Sequence, residues 1–156
     1  MEISKQTKLQ FLGVEIVNVQ LDIRNRSAET APLNISIEPK LFFPEDDQNR
    51  FSIFMPIDLK SEDFFSLSIV GIGNFIVDAE DEKMRKSFIH SNAPAIMFPY
   101  LRSFISTLSG NLGGIINTIV LPPHFFKGEM QELLAGSVDE ENKVINDYAN
   151  TPTEPI

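Results

Sequence analysis

Apolar residues in the first half of the chain fall on every second position. Leu12, Val14 and Ile16 alternate on one parity, then Val17, Val19, Leu21 and Ile23 alternate on the other. A slip of one residue flips the buried face of a strand unless a bulge absorbs it. The pattern therefore predicts one long strand over 9–23 with a bulge or strong twist near Ile16–Val17. Residues 24–32 are polar and turn-like. Leu33, Ile35, Ile37, Leu41 and Phe43 make a second alternating run. Pro39 lies inside it with no amide hydrogen for a ladder, which predicts an edge strand or a break there. After PEDDQN (44–49), Phe51, Ile53, Met55, Ile57 and Leu59 alternate cleanly, and Pro56 is a second sign of incomplete pairing. The fourth run, 65–77, is apolar on both faces towards its end, as in a strand covered twice or lining a groove. Its Gly71 and Gly73 leave a shallow spot where another backbone can approach. Four strands joined by short polar links predict an antiparallel meander.

The period then changes. DAEDEKMRKSFIH (78–90) predicts a short helix, with acids first and bases later to suit the helix dipole. Asn92 reads as the N-cap, and Pro94 as the first-turn proline, of a longer helix. Along it, Ile96, Tyr100 or Leu101, Phe104 or Ile105, and Leu108 recur at helical spacing. Pro99 predicts a kink near 96–98, and Gly110, Gly113 and Gly114 end the helix. The apolar, β-branched segment 115–121, stopped by Pro122 and Pro123, reads as an extended lid and not a sheet strand. Lys127 to Ala135 predicts a last short helix with Met130, Leu133 and Leu134 on one side. From Gly136 onward the chain is acidic and thin in apolar residues. This divides it into a domain, 1–136, and a flexible acidic tail, 137–156, into which Val144, Ile145 and Tyr148 could extend a helix.

Charge and composition narrow the chemistry. The formal net charge is −9, and no basic stripe suited to nucleic acid is visible. An acidic balance suits basic partners without identifying one. The absence of cysteine excludes disulfides, thiol catalysis and Cys-ligated metals, and fits a reducing cytosol. The start MEISKQTKLQF has no apolar core or cleavage site of a secretory signal. No apolar run approaches the roughly 20 residues of a membrane-spanning helix. A soluble cytoplasmic protein without membrane insertion is expected. His90 and His124 are the only histidines and lie far apart, so no metal site is expected. Glu45-Asp46-Asp47 reads as a solvated turn before it reads as a cation site, and Glu80-Asp81-Glu82 as a helix start. Nucleophile elbows, phosphate loops and zinc-protease motifs are lacking. Neither catalysis nor a cofactor is therefore expected. What stands out is thirteen Phe beside two Tyr and no Trp. A sheet covered by a helix on one face hides fewer aromatics than this, which favours oligomerisation and a binding groove for apolar chains over burial of them all.

One stretch carries a family likeness. NAPAIMFPYLR (92–102), with Pro94, Ile96, Met97, Phe98, Pro99, Tyr100 and Arg102, resembles the helix entry of the bacterial export chaperone SecB. Leu121-Pro122-Pro123-His124-Phe125 resembles that family's element after the helix, and FSLSIVGIGNF (65–75) its final strand. The likeness covers about 64–126; the earlier strands match by pattern only. It implies an α+β fold: a four-stranded antiparallel sheet with a long helix packed on it, to which the residues at 127–135 add a short C-terminal helix. It implies a homotetramer, a dimer of dimers, with unfolded polypeptides bound in apolar grooves between the sheet and the segment after the helix. By position, Phe65, Ile69, Phe75 and Tyr100 are its candidate groove residues, with Ile119 and Leu121 as lid residues. Phe104, Ile105 and Leu108 serve a helix-mediated interface or the core. The function so implied is an ATP-independent holdase keeping precursors competent for the Sec translocase. The alternative is a SecB-fold adaptor or dedicated chaperone of one partner, such as a toxin–antitoxin pair. A SecA-type export motor is a further partner the resemblance implies, although Ser68 stands where the family carries an acid that contacts it, which puts that contact in doubt.

Overall fold

A computed structural model describes residues 8–26, 31–44, 47–123 and 128–133. The predicted tail 137–156 lies outside the described residues, as do Glu45, Asp46, His124 and Leu134.

Strand β1 (Lys8–Ile23) pairs antiparallel with β5 (Phe65–Asp78), with register shifts between Phe11 and Gly13 and between Ile16 and Asn18. Leu12 and Val17 are the extra residues. With both absorbed, Leu9, Phe11, Val14, Ile16, Val19, Leu21 and Ile23 all fall on one face. They stand opposite Val77, Phe75, Gly73, Gly71, Ile69, Leu67 and Phe65. The second bulge is the one the parity change predicts. The first is not predicted: Leu12 groups with Val14 by parity, yet it is turned outward and 47% exposed. Gly13, at φ +125°, supplies a backbone conformation that only glycine adopts without strain.

Strands β2 (Asn34–Ile37) and β3 (Lys40–Phe42) both pair with β4 (Arg50–Ser61) in one register, Ile37 opposite Ile57 and Lys40 opposite Phe54. Carried across the break, that register sets Glu38 opposite Pro56 and Pro39 opposite Met55. Two residues without an N–H thus share the unpaired gap, where the sequence predicts interruption. The strand order is β1-β5-β4-β3-β6, with β2 beside β4. The first strand lies beside the last of the three hairpin-linked runs, a Greek-key order in place of the predicted meander. β6 (Gln131–Leu133) joins β3 in parallel. The sheet is therefore six-stranded and mixed, not four-stranded antiparallel, and the short C-terminal helix is absent from 128–133. Gly128 at φ +95° lies outside the helical region, and so short a helix is marginal in isolation. The β3 edge instead offers this segment ladder partners.

Helix α1 (Glu82–Ser87), a π-helical turn (Phe88–Asn92) and α2 (Ala93–Gly110) run on without a break. The one capped start is Asp81, whose carboxylate accepts from Lys83 N at 3.1 Å. Asn92 is itself helical and makes no capping bond, because the chain already arrives as a helix. Ala93 N–H reaches back five residues to the Phe88 carbonyl. This wide turn sits just ahead of Pro94, whose missing N–H and bulky ring disturb an ordinary ladder. α2 turns Ala93, Pro94, Met97, Phe98, Leu101 and Ile105 inward. It lies low on the sheet because Gly71 and Gly73 leave room. A Cβ on Gly71 would stand 2.5 Å from Leu101 Cδ2, and one on Gly73 2.9 Å from Met97 Sδ. The shallow spot read from the sequence is filled by these two helix side chains.

Candidate polypeptide-binding surface

The two flanks of α2 differ. On one, the segment 115–121 returns beside the helix, with bends at 115 and 116. It belongs to no strand ladder and is bonded to α2 by polar side chains. Arg102 Nε donates to the Leu121 carbonyl at 2.9 Å and Ser106 Oγ to the Ile119 carbonyl at 2.8 Å. Ser109 Oγ accepts from Ile119 N at 2.8 Å while donating to the Ile105 carbonyl at 2.7 Å. Ile116, Ile119 and Leu121 are buried, while Val120 is 73% exposed. Polar residues at 102, 106 and 109 thus tie an apolar strap to α2.

The other flank is open. Ile96, Tyr100 and Phe104 recur every fourth residue along it and are exposed or half-buried, Tyr100 at 53%. Below them lie β1 residues Leu9, Phe11, Val14 and Ile16, all half-buried. Tyr100 is the outer end of a file of rings. It lies 5.4 Å from Phe11, Phe11 lies 5.3 Å from Phe75, and Phe75 stacks on Phe51 at 5.2 Å. Phe51 in turn meets Phe43 at 6.1 Å. Tilted and stacked contacts of this kind fix ring orientations. The flank is therefore an apolar surface backed by a fixed aromatic interior.

Of the six residues assigned to a groove, Tyr100 alone is on the surface. Phe65, Ile69, Phe75, Ile119 and Leu121 belong to the buried core, the last two as the inner face of the strap. Of the three assigned to an interface, Ile105 is fully buried, whereas Phe104 and Leu108 are half-exposed. Sequence reasoning missed Phe11 and Ile96 as surface partners of Tyr100. The four-residue spacing of Ile96, Tyr100 and Phe104 was the available signal.

The sheet face turned away from α2 holds a cavity of about 410 Å³, floored by Val17, Phe54, Pro56, Val70 and Ile72. Val70 and Ile72 are the second apolar face of the fourth run, which here lines a groove. At its rim Ser68 Oγ donates to Asp58 Oδ1 at 2.6 Å. Asp58 is the register partner of Ser68. Among the described residues, no group of three His, Asp or Glu is placed to hold a metal. No described helix is long and apolar enough to cross a membrane.

No family model matches the chain. An uncharacterised protein of Methanocaldococcus jannaschii is 28% identical over 151 residues, covering 91% of this chain and 94% of that one. Among solved structures, the Mycobacterium tuberculosis SecB-like chaperone Rv1957, in complex with a ChAD peptide from the HigA1 antitoxin, superposes with a TM-score of 0.59. It is 14% identical and covers 75% of this chain and 88% of its own. With the sheet, the long helix and the strap already described, this likeness gives the chain a SecB-like fold.

Proposed function

We propose that this protein is an ATP-independent chaperone of the cytosol that holds non-native polypeptides on the open flank of α2. The observation that carries the reading is the apolar strip of Ile96, Tyr100 and Phe104 over Phe11, exposed or half-buried among the described residues and backed by the buried core. Contiguous exposed apolar surface of this kind marks a binding site. Each apolar client side chain buried there contributes roughly 1.5–3 kcal/mol before ordering costs, so a few contacts suffice and no catalytic group is needed. The other candidate groove residues, Phe65, Ile69, Phe75, Ile119 and Leu121, are core residues and are reached only if that core opens. Tyr100 is available without any movement.

Two client ranges fit: precursors bound for export, or one dedicated partner. The second is supported by the fold neighbour that carries an antitoxin peptide. Light scattering of a chemically denatured client tests the reading. The wild-type chain should suppress aggregation at near-stoichiometric ratio. Tyr100→Ser combined with Ile96→Ser should weaken suppression about tenfold while leaving the fold unchanged by circular dichroism. If the wild type protects no denatured client and no antitoxin-type partner, the chaperone reading falls. If the double variant protects fully, the flank is not the site.

A further inference from the structure

The opposite edge of the sheet is closed by the chain itself. β6 matches β3 through three residue pairs, Lys40 with Gln131, Leu41 with Glu132 and Phe42 with Leu133. The pairing is parallel, the weaker geometry per residue. Gln131 and Glu132 are exposed, and Met130 is half-buried against the core. Two further contacts hold the segment. Met130 N donates to His90 Nδ1 at 3.0 Å, and Lys86 Nζ lies 3.8 Å from Glu129 Oε1 with both side chains largely exposed. Little apolar surface is committed, so the grip is main-chain hydrogen bonding plus one apolar anchor. That is the manner in which sheet edges take up extended peptides.

We propose that the β3 edge is a second polypeptide-binding site and that β6 is its built-in occupant, exchangeable for an extended acidic segment of another chain. This deepens the client-binding reading and rests on it for the partner's being a polypeptide. β6 shows the chemistry the edge accepts. Met130 supplies an apolar anchor facing the core, and Glu129 and Glu132 lie on either side of it. Lys86 stands on the receiving side, 3.8 Å from Glu129. The His90 ring accepts a main-chain N–H, a bond that any peptide amide can replace. A displacing segment therefore needs an extended backbone, one apolar residue and an acid just before it, and no fixed sequence.

The chain has no cysteine, so a thiol pair can be placed cleanly. Lys40 and Gln131 are register partners on adjacent strands, within the Cα separation a disulfide spans. The probe is a fluorescein-labelled peptide of the chain's own 128–133 sequence, GEMQEL. The Lys40→Cys/Gln131→Cys protein should bind it when reduced and at least about tenfold more weakly when oxidised, since a tethered occupant competes at high effective concentration. Equal binding by both forms overturns the exchange. Suppression of aggregation by a reduced form that binds no peptide also overturns it, and leaves the chaperone reading standing. Peptide binding confined to the reduced form, with no aggregation suppressed, upholds the exchange and removes the chaperone reading. Hydrogen exchange on the wild type tests the same displacement without the disulfide. Saturating peptide should speed exchange of the amides at 131–133, and unchanged rates overturn the proposal.

Discussion

Ser109 shows how much one small side chain decides. It is the last inward residue of α2, it is buried, and its hydroxyl both donates to Ile105 and accepts from Ile119. Removing the hydroxyl strands the Ile119 N–H beside the helix. Leaving a buried donor unpaired costs about 1–3 kcal/mol. Ser109→Ala should lose that much stability in urea denaturation, with faster hydrogen exchange at Ile119. Ser109→Cys, a weaker acceptor of similar shape, should fall between. The sequence does not reveal this role. Ser109 reads as a polar position between apolar ones, and only the return of the strap turns it inward. Leu12 escapes sequence reading for a related reason. Parity assigns a face only while the register is unbroken, and the bulge at Leu12–Gly13 comes too soon after Phe11 to leave a run on each side. The bulge at Val17 is legible because three residues alternate before it and several after.

At the scale of elements, the strands and the long helix are legible because their apolar periods are long and differ. The break at Pro39 is legible because a missing N–H is a local fact. Strand order is not, since it depends on which edge β1 finds, and its partner begins at Phe65. β6 is mistaken for a helix because Met130, Leu133 and Leu134 suit either period when a run is this short. The seat of α2 on β5 depends on two glycines. Gly71→Val would drive a branched side chain into Leu101, and Gly73→Val would do the same to Met97. Overpacking of this kind costs about 1–3 kcal/mol. Each variant should show that loss in chemical denaturation, and Gly71→Val combined with Leu101→Ala should recover part of it. If the single variants are as stable as wild type, α2 does not rest on the glycines.

For the whole molecule, the sequence points to surplus aromatic surface, and the structure locates the exposed part of it. Of the thirteen Phe, Phe51, Phe54, Phe65, Phe75 and Phe98 are buried, six more are half-buried, and Phe125 and Phe126 lie outside the described residues. Of the large apolar residues exposed among the described ones, Leu12, Val19, Ile23, Ile96 and Tyr100 lie on β1 or the flank of α2 above it, and Met84, Ile115 and Val120 lie elsewhere. Residues expected to line a groove follow from position in a resembling family. Here all of them but Tyr100 are spent on the chain's own core, which the spacing of apolar residues alone does not decide. An exposed apolar side together with a free β1 edge is the usual basis of association between copies. Analytical ultracentrifugation at micromolar concentration should show an assembled species, a tetramer if two such surfaces are used. A monomer throughout that range contradicts the assembly expected from the SecB resemblance.

The Greek-key order also has a consequence in time. Every partner of β1 lies at or beyond Phe65, so the first strand synthesised is the last of the long strands to find its ladder. Until then, Leu9 through Ile23 is an apolar segment without a sheet. Contacts of such sequence separation carry a large loop-closure cost and form late. Substitutions on the inner face of β1, such as Val14→Ala, should therefore speed unfolding more than they slow folding. During synthesis and refolding this protein itself presents the kind of surface it is proposed to hold in others.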